Sequence, residues 1–348
     1  MSAPQVHRHP AWFGAVLGTA ATSVVLLMQA ETWEMRWLAW IAVGFLLVAS
    51  LLAVILWPRY GARLANREAL LAELGDPGHG AMLATLPAGI LVLAVAWGKV
   101  GPEIIPAEIA VWVDIVLLVI GVVLALSLGI AWAGAIASNT HDLAAVHGGW
   151  LIPPVMNLIV PLGLLPVVAT YPDQAPWLMF VGFAFFGIGT VLFLVLFTLL
   201  AIRIALRPRQ LPQLAPSLFI PLAPAGILGF ALLRQLQTAS AVGLPGFDSA
   251  TAGVVVAAMG VGLGLWWGAF AIYELVRLNR EGGVPFHPGW WGFVFPVAAM
   301  TLAITAVGTA LGSTFVEALG ALGAVLLVVV WVLVGLRSIR LVQAARPR

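Results

Sequence analysis

Long apolar segments alternate with short polar connections along this chain. Ten such segments cover residues 11–29, 37–57, 81–98, 108–133, 150–170, 177–202, 215–236, 250–275, 290–310 and 317–336. Each is close to the ~20 residues that a helix needs to cross the hydrocarbon core of a bilayer. None shows the strict alternation of apolar and polar residues that is typical of a membrane β-barrel. Backbone groups in lipid must bond within their own segment, so the pattern predicts an all-α integral membrane protein with ten transmembrane helices.

The composition agrees with this pattern. Apolar residues make up 62% of the 348 positions and charged residues only 9%, whereas soluble domains have roughly 25% charged residues. No connection is long or polar enough for a soluble domain, so we expect a single transmembrane domain over residues 1–348. The net charge of +2 gives no reason to expect nucleic acid binding, and the chain has no cysteine for disulfide or thiolate chemistry.

Lysine and arginine indicate the orientation. With a cytoplasmic N-terminus, thirteen of the 16 basic residues lie in cytoplasmic segments, and only Arg36, Lys99 and Arg234 lie outside. By the positive-inside rule, both termini then face the cytoplasm of a cell inner (plasma) membrane. His7 and Arg8 before the first apolar run also raise the alternative of a cleaved signal peptide. That run is long for a signal peptide and lacks a good cleavage site, so a first membrane helix is favoured.

The segments repeat in pairs. His9, His79, His147 and His287 precede the first, third, fifth and ninth segments, with spacings of about 70 residues or twice that. The missing copy falls near Ser217, where the seventh segment begins without a histidine. A fixed period is the mark of repeat architecture. We therefore expect five helical hairpins, over residues 9–57, 79–133, 147–206, 215–277 and 287–340.

Odd and even segments differ in proline content. Within the odd segments the prolines include Pro87, Pro153, Pro154, Pro161, Pro221, Pro224 and Pro296, and the even segments have none in mid-segment. Proline removes a backbone donor, which a membrane tolerates only where protein or water satisfies the freed carbonyl. The pattern predicts odd helices broken at proline that form an inner ring around a narrow channel, and even helices outside that face lipid.

Five short motifs resemble one known family. They are Ala-Thr-Leu-Pro-Ala-Gly at 84–89, Trp-Leu-Ile-Pro-Pro-Val at 150–155, Pro-Ser-Leu-Phe-Ile-Pro at 216–221, Leu-Ala-Pro-Ala-Gly at 222–226 and Trp-Trp-Gly-Phe-Val-Phe-Pro at 290–296. In this order and spacing they are similar to the tellurite-resistance/dicarboxylate transporter family. That family includes bacterial tellurite-resistance proteins, yeast malate and sulfite transporters and the slow anion channels of plant guard cells.

The resemblance implies a transporter of small inorganic or organic anions. It implies ten helices in five hairpins, with odd helices lining a central pore, and a homotrimer in which each subunit has its own pore. In the family a phenylalanine of the ninth helix occludes that pore. Phe295, directly before Pro296, matches this position best, and Phe293 is the alternative if the register differs.

The central parts of the odd segments contain no charged residue, which favours a neutral pore lining. Weak sites suit conduction, because an ion that binds too tightly does not leave. The polar lining candidates are Thr19, Thr22, Ser23, Thr85, Asn157, Thr301 and Thr305, and the proline candidates are Pro87, Pro154, Pro221, Pro224 and Pro296. Each hydroxyl has an alternative, which is to bond the backbone of its own helix.

Charged and titratable residues cluster at segment ends. His79, His147 and His287 are placed at a cytoplasmic mouth, where protonation would attract anions; a simple helix-start turn is favoured instead. A metal site is not expected, because equivalent positions around a five-fold ring would be far apart. Arg234 is placed at the external mouth. The acids of the even segments, Asp114, Glu274 and Glu317, are expected at membrane interfaces or subunit contacts.

No motif for a hydrolase, a metalloprotease or a phosphate loop is present, so neither an enzyme nor a cofactor is expected. The leading hypothesis is an anion channel or transporter with a neutral pore occluded by phenylalanine. The alternative is a dicarboxylate (malate-like) or sulfite carrier, with or without proton coupling. From other classes, a non-transport subunit of a membrane complex and a membrane enzyme stay open; an enzyme would show clustered polar residues at membrane depth.

Overall fold

The computed structural model describes residues 9–138 and 140–345, and within them every long element is a helix. The ten long helices are α1 (Phe13–Thr32), α2 (Arg36–Leu64), α3 (Thr85–Val100), α4 (Ala107–Ala137), α5 (Ile152–Thr170), α6 (Ala175–Leu206), α7 (Leu222–Ala241), α8 (Thr251–Arg280), α9 (Val294–Leu311) and α10 (Thr314–Ala344). All ten are long and apolar enough to cross a membrane, which confirms the predicted fold class. His7, Arg8, Arg346 and Arg348 lie outside the described residues.

Every odd helix begins with a short 3₁₀ segment. These segments are Pro10–Trp12, Gly80–Ala84, Gly148–Leu151, Pro212–Phe219 and Pro288–Phe293. The four later odd helices then have a proline as their third α-helical residue, and these prolines are Pro87, Pro154, Pro224 and Pro296. The first four N–H groups of a helix have no intrahelical acceptor, so proline removes no hydrogen bond there. The expectation that these prolines break the helices is therefore wrong.

Only α5 has prolines well inside an odd helix. Pro161 and Pro166 lie in its interior, where each removes an i to i−4 hydrogen bond. Among the even helices, α2 runs on past its predicted end and includes Pro58. Since α5 is buried from Ile152 to Val168, the carbonyls freed by its prolines face protein rather than lipid.

Burial separates the two sets of helices. In the odd spans, 72% to 100% of the residues of the most apolar window are buried, and in the even spans only 22% to 33%. The exposed faces of the even helices present large apolar side chains such as Trp112, Phe180 and Phe315. In a bilayer such side chains are stable against lipid. The odd helices therefore form the interior and the even helices the lipid-facing layer.

The interior helices close into a ring. Each odd helix packs against the next odd helix along the chain, and α9 packs back against α1. A hydrogen bond from Gln29 Nε2 to Thr305 Oγ1, 2.8 Å long, joins these first and last members. Each odd helix also packs against the even helix that follows it. The ring has five members, and its axis is the place at which a pathway through the protein would lie.

Glycine allows the helices to approach closely around α7. A Cβ atom added at Gly229 would clash with Ala257 Cα of α8, and one at Gly226 would lie 2.7 Å from the Ala299 carbonyl carbon of α9. Small residues at helix contacts are typical of membrane proteins, where van der Waals packing drives helix association. Gly229 thus allows α7 to approach α8, and Gly226 allows it to approach α9.

Candidate functional site

The ring of odd helices has two chemically different ends. We call the end at which the odd helices begin the histidine end, because His9, His79, His147 and His287 lie there. The opposite end, at which Glu31, Lys99 and Arg234 lie, is the Arg234 end. Each end has a cavity lined by residues from all five odd helices or their 3₁₀ starts. The two cavities therefore lie on the ring axis.

The cavity at the histidine end is apolar. It has a volume of about 50 Å³, and its lining residues are Ala11, Gly14, Leu17, Met82, Thr85, Ile152, Val155, Ile220, Ala223, Gly289, Trp291, Gly292, Phe295 and Pro296. Thr85 is the one polar side chain among them apart from the Trp291 indole. Its hydroxyl lies 2.7 Å from the Met82 carbonyl oxygen and 3.2 Å from that of Pro10. The lining therefore has no charge to hold an ion tightly.

The two phenylalanine candidates have different surroundings. Phe295 is buried and lines the cavity at the histidine end. Phe293 is not among the lining residues; its ring packs against Phe219 at 4.7 Å and against Trp290 at 5.3 Å, both edge-to-face. The geometry thus separates a side chain on the axis from one in an aromatic cluster of the 3₁₀ segments.

Four of the predicted lining hydroxyls contact neighbouring helices. Thr19 accepts a hydrogen bond from Trp331 Nε1 of α10 at 2.8 Å, and Ser23 donates to the Ala42 carbonyl of α2 at 2.8 Å. Thr301 and Thr305 of α9 face α10, where a Cβ at Gly323 or Gly320 would meet their Oγ1 atoms. These four hydroxyls thus contact the even helices that pack around the ring. Their role in lining a pore stays a prediction.

The other predicted polar residues bond their own helices. Thr22 Oγ1 donates to the Gly18 carbonyl at 2.8 Å, and Asn157 Nδ2 donates to the Pro153 carbonyl at 2.9 Å. Of the five prolines predicted to line the pore, Pro296 lines the cavity at the histidine end. The other four line neither cavity; they are Pro87, Pro154, Pro221 and Pro224. The alternative of local backbone bonding thus describes what these two polar side chains do.

Three histidines cap the 3₁₀ starts. His9, His147 and His287 each accept, at Nδ1, the backbone N–H two residues further on, at 3.1, 3.0 and 3.0 Å. Nε2 of His147 lies 3.1 Å from the Gly78 carbonyl oxygen, and Nε2 of His287 lies 2.8 Å from that of Gln213. With Nδ1 accepting and Nε2 donating, each imidazole is neutral. The contacts support the helix-start interpretation and also join successive repeats.

The histidines lie closer together than a five-fold arrangement suggests. The ring centroid of His9 is 5.7 Å from that of His79 and 6.2 Å from that of His287. The argument that these positions are far apart is therefore wrong for these three, because the 3₁₀ starts that follow them also pack against one another. Within the described ranges, no group of three or more His, Asp or Glu side chains is arranged to hold a metal ion.

Acid is expected to destabilise the histidine end through His147. Burial lowers the pKa of this imidazole to about 4, from ~6.5 in an unfolded chain. The unfolded chain therefore binds a proton on this residue at a higher pH than the folded protein does, so acid favours unfolding. Above about pH 6.5 His147 is neutral in both states and its full contribution to the free energy of unfolding is present. As the pH falls towards 4 this contribution is lost, and the total loss is roughly 3 kcal/mol.

Thermal unfolding in detergent, followed from neutral pH to about pH 4, measures this effect. In His147→Asn an amide oxygen replaces Nδ1 as the acceptor but does not titrate, so its melting temperature is expected to fall less with acid. His79→Asn is the matched control, because His79 is exposed and its side chain makes no cap bond. Equal acid sensitivity of wild type and His147→Asn would contradict the assignment.

The cavity at the Arg234 end is charged. Its volume is about 50 Å³, and its lining residues are Val24, Leu27, Met28, Glu31, Val95, Lys99, Leu162, Leu165, Phe230, Arg234 and Leu302. Two cations and one carboxylate leave a net positive charge above an apolar floor. Arg234 is held by a 3.1 Å hydrogen bond from Nη1 to Gln237 Oε1. A small anion that enters this cavity meets two positive groups at once.

Lys99 and Glu31 were missed by the sequence reasoning, which treated Lys99 only as a loop charge for topology. The sequence did contain a signal for this charge cluster. Lys99, Arg234 and Glu31 each lie near the end of an odd segment, at matching positions of three repeats. Ala21, Ile159 and Ile227 are buried, and along the sequence each lies between lining residues of the two cavities.

Asp114 departs from its expected place at a membrane interface. Its side chain is completely buried between α3, α4 and α5, and neither carboxylate oxygen has a hydrogen-bond partner among the described residues. Glu274 instead forms an ion pair with Arg277 at 2.7 Å, and Glu317 accepts a hydrogen bond from Thr309 at 3.1 Å. The apolar residues around Asp114 come from helices far apart in sequence, so the local pattern could not reveal this burial.

Comparison with known proteins identifies the family. The SLAC1 family of voltage-dependent anion channels matches residues 7–339. The chain belongs to this family. The match covers all ten helices, which confirms the resemblance found in the motifs of the odd segments. It makes the chain a multi-pass membrane transporter of a family of channels and transporters rather than enzymes.

Characterised and uncharacterised SLAC1 relatives share about a quarter of their residues with this chain. The sulfite efflux pump SSU1 of Arthroderma otae is 26% identical over 94% of this chain and 88% of its own length. The sulfite efflux pump SSU1 of Trichophyton rubrum has the same identity and coverage. An uncharacterized transporter of Methanocaldococcus jannaschii is 26% identical over 83% of this chain and 80% of its own length.

Proposed function

We propose that this chain moves small anions across the membrane along the axis of the odd-helix ring, through a neutral pathway that Phe295 occludes. The observation behind the proposal is the pair of axial cavities, each lined by all five odd helices. One cavity is uncharged, so an ion can leave it easily, and the other has a net positive charge that collects anions. Phe295 is one of the residues that line the uncharged cavity.

The proposed orientation places the histidine end in the cytoplasm of the cell inner membrane. Arg203, Arg207 and Arg277 lie at that end, in agreement with the positive-inside rule. The Arg234 end then faces outward. We also propose a single transmembrane domain of five hairpins that assembles as a homotrimer, as the family resemblance implies. The broad apolar faces of the even helices are suited to lipid and to neighbouring subunits.

A second candidate is a sulfite or dicarboxylate carrier with a distinct binding step. Two of the relatives are named sulfite efflux pumps. Lys99 and Arg234 on one small cavity favour such a step, because two cations suit a doubly charged anion better than a singly charged one. Sulfite is therefore the first substrate to test, with malate as the organic dianion.

Anion flux in liposomes that contain only the purified protein tests the proposal. We expect flux of at least one of chloride, nitrate, malate and sulfite above that of protein-free liposomes. Saturation at low millimolar or lower concentration with dianions would favour the carrier, and unsaturated flux of all four would favour the channel. Absence of any flux would contradict the proposal and favour a non-transport subunit that needs a partner.

A further inference from the structure

Asp114 is an acid without a partner at membrane depth. It lies in the third turn of α4, its side chain has no exposed surface, and both oxygens lack hydrogen-bond partners among the described residues. An ionised carboxylate in such surroundings is strongly unfavourable, whereas the neutral acid is tolerated far better. Ionisable residues inside a membrane span are functional candidates for this reason.

The slot around Asp114 is formed by two helices of the inner ring. A Cβ at Gly98 of α3 would lie 2.5 Å from Asp114 Oδ2 and 2.8 Å from Pro166 Cγ of α5. A Cβ at Gly163 of α5 would lie 3.6 Å from Oδ1. Glycine at both positions leaves the space that the carboxyl group occupies. The acid thus projects from an outer helix into the wall of the axial pathway.

Lys99 connects this slot to the pathway. It follows Gly98 directly in the chain, and its side chain lines the cavity at the Arg234 end. Among the described groups, Lys99 is the charged residue that interacts electrostatically with Asp114. The other charged groups on the surrounding elements are Glu108 of α4 itself, Glu103 of the turn after α3, and Arg67, Glu68 and Glu73 of the short helix Arg67–Leu74 at the histidine end. α5 contains no charged residue.

We propose that Asp114 is a proton-binding site that sets, through Lys99, the positive charge presented to anions at the Arg234 end. This inference rests on the proposed function of that cavity. A proton from solvent adds to the carboxylate and gives the neutral acid; no other bond changes, and Lys99 keeps its ammonium charge. With the acid neutral, the ammonium charge acts on the cavity undiminished. With the carboxylate ionised, its negative charge attracts the Lys99 ammonium group and largely cancels the positive charge that this group presents to the cavity.

The test is the half-saturating anion concentration on the Arg234 side of proteoliposomes, measured with sulfite as a function of pH on that side and corrected for the protonation of sulfite itself. In the wild type we expect anion binding to tighten by about tenfold as the pH falls and Asp114 becomes neutral. Asp114→Asn fixes the neutral form, so it is expected to bind tightly at every pH at which Glu31 of the cavity stays ionised. Glu108→Gln, which neutralises an exposed acid on the same helix, is the matched control and is expected to behave as wild type.

Two further measurements keep the inference falsifiable. Lys99→Met leaves Asp114 in place but removes the charge that it modulates, so binding is expected to be weak and independent of pH. Infrared spectroscopy of the purified protein in lipid is expected to show the carbonyl band of a protonated carboxylic acid that Asp114→Asn lacks. This band needs no transport, so it tests proton binding even if no anion moves and the proposed function fails.

The outcomes separate cleanly. A wild-type pH dependence that persists in Asp114→Asn would overturn the inference while leaving anion transport intact. Absence of the carboxylic acid band at acidic pH would overturn it on its own, because Asp114 would then be a permanent ion-pair partner of Lys99. A band that is present, together with pH-independent binding in Asp114→Asn and Lys99→Met, would establish it.

Discussion

Replacing Phe295 by alanine is expected to raise anion flux through this SLAC1-family protein by about tenfold or more, which corresponds to a barrier lowered by at least ~1.4 kcal/mol. The phenyl ring lines the cavity at the histidine end, which residues of all five odd helices and their 3₁₀ starts surround. A bulky apolar ring in a narrow neutral tube obstructs ions and excludes water. Its removal connects the cavity to the small residues beyond. Flux in liposomes, with equal amounts of correctly folded protein, measures the change.

Phe293→Ala is the matched control for this substitution. Its ring packs against Phe219 and Trp290 and does not line either cavity. The loss of these aromatic contacts is expected to lower the melting temperature without opening the pathway. An increase in flux for Phe293→Ala but not for Phe295→Ala would move the barrier to the aromatic cluster. No increase for either would remove the phenylalanine gate from the proposal.

Neutralising Lys99 or Arg234 is expected to raise the half-saturating anion concentration at the Arg234 end by about tenfold for each residue, and more for a dianion than for a monoanion. Both cations line one cavity of about 50 Å³, so an anion inside it lies near both. Exposure to solvent screens these charges, which limits the effect to this order. Methionine is the suitable replacement, because it keeps the length and apolar contacts of the stem.

Two variants control for this effect. Arg36→Gln removes an exposed cation that lies near the same end but outside the cavity, and it is expected to leave anion binding unchanged. Glu31→Gln removes the carboxylate of the cavity and is expected to tighten binding, opposite in sign to the two cation variants. If Arg36→Gln weakened binding as much as the Lys99 and Arg234 variants do, the effect would come from the overall surface charge and not from this cavity.

The sequence predicted the helices well because their signal is local. An apolar run of membrane-spanning length forms a helix whatever its neighbours are, since only intrahelical bonds satisfy its backbone in lipid. The prolines and histidines at the starts of the odd segments likewise indicated which helices are equivalent. The role of the prolines as first-turn residues was misjudged, because the same residue a few positions further on would break a helix.

The site was predicted only in part, because side-chain direction depends on how each helix is rotated. Thr19 and Ser23 lie on an odd helix, yet both bond to even helices. Phe293 ends a 3₁₀ segment and Phe295 lies two residues further on in α9; contacts with Phe219 and Trp290 hold the first, whereas the second lines a cavity. No local pattern specifies this rotation.

Membrane setting, helix number and the division into two alternating classes were determined by the sequence itself, since hydrophobic length and proline position act within single segments. Tertiary structure decided three other features. The five odd helices close into a ring, Lys99 and Arg234 line one cavity, and Asp114 is buried between Gly98 and Gly163. These features need contacts between helices that are distant in the chain. Close packing permits such contacts only where small residues face each other across the ring.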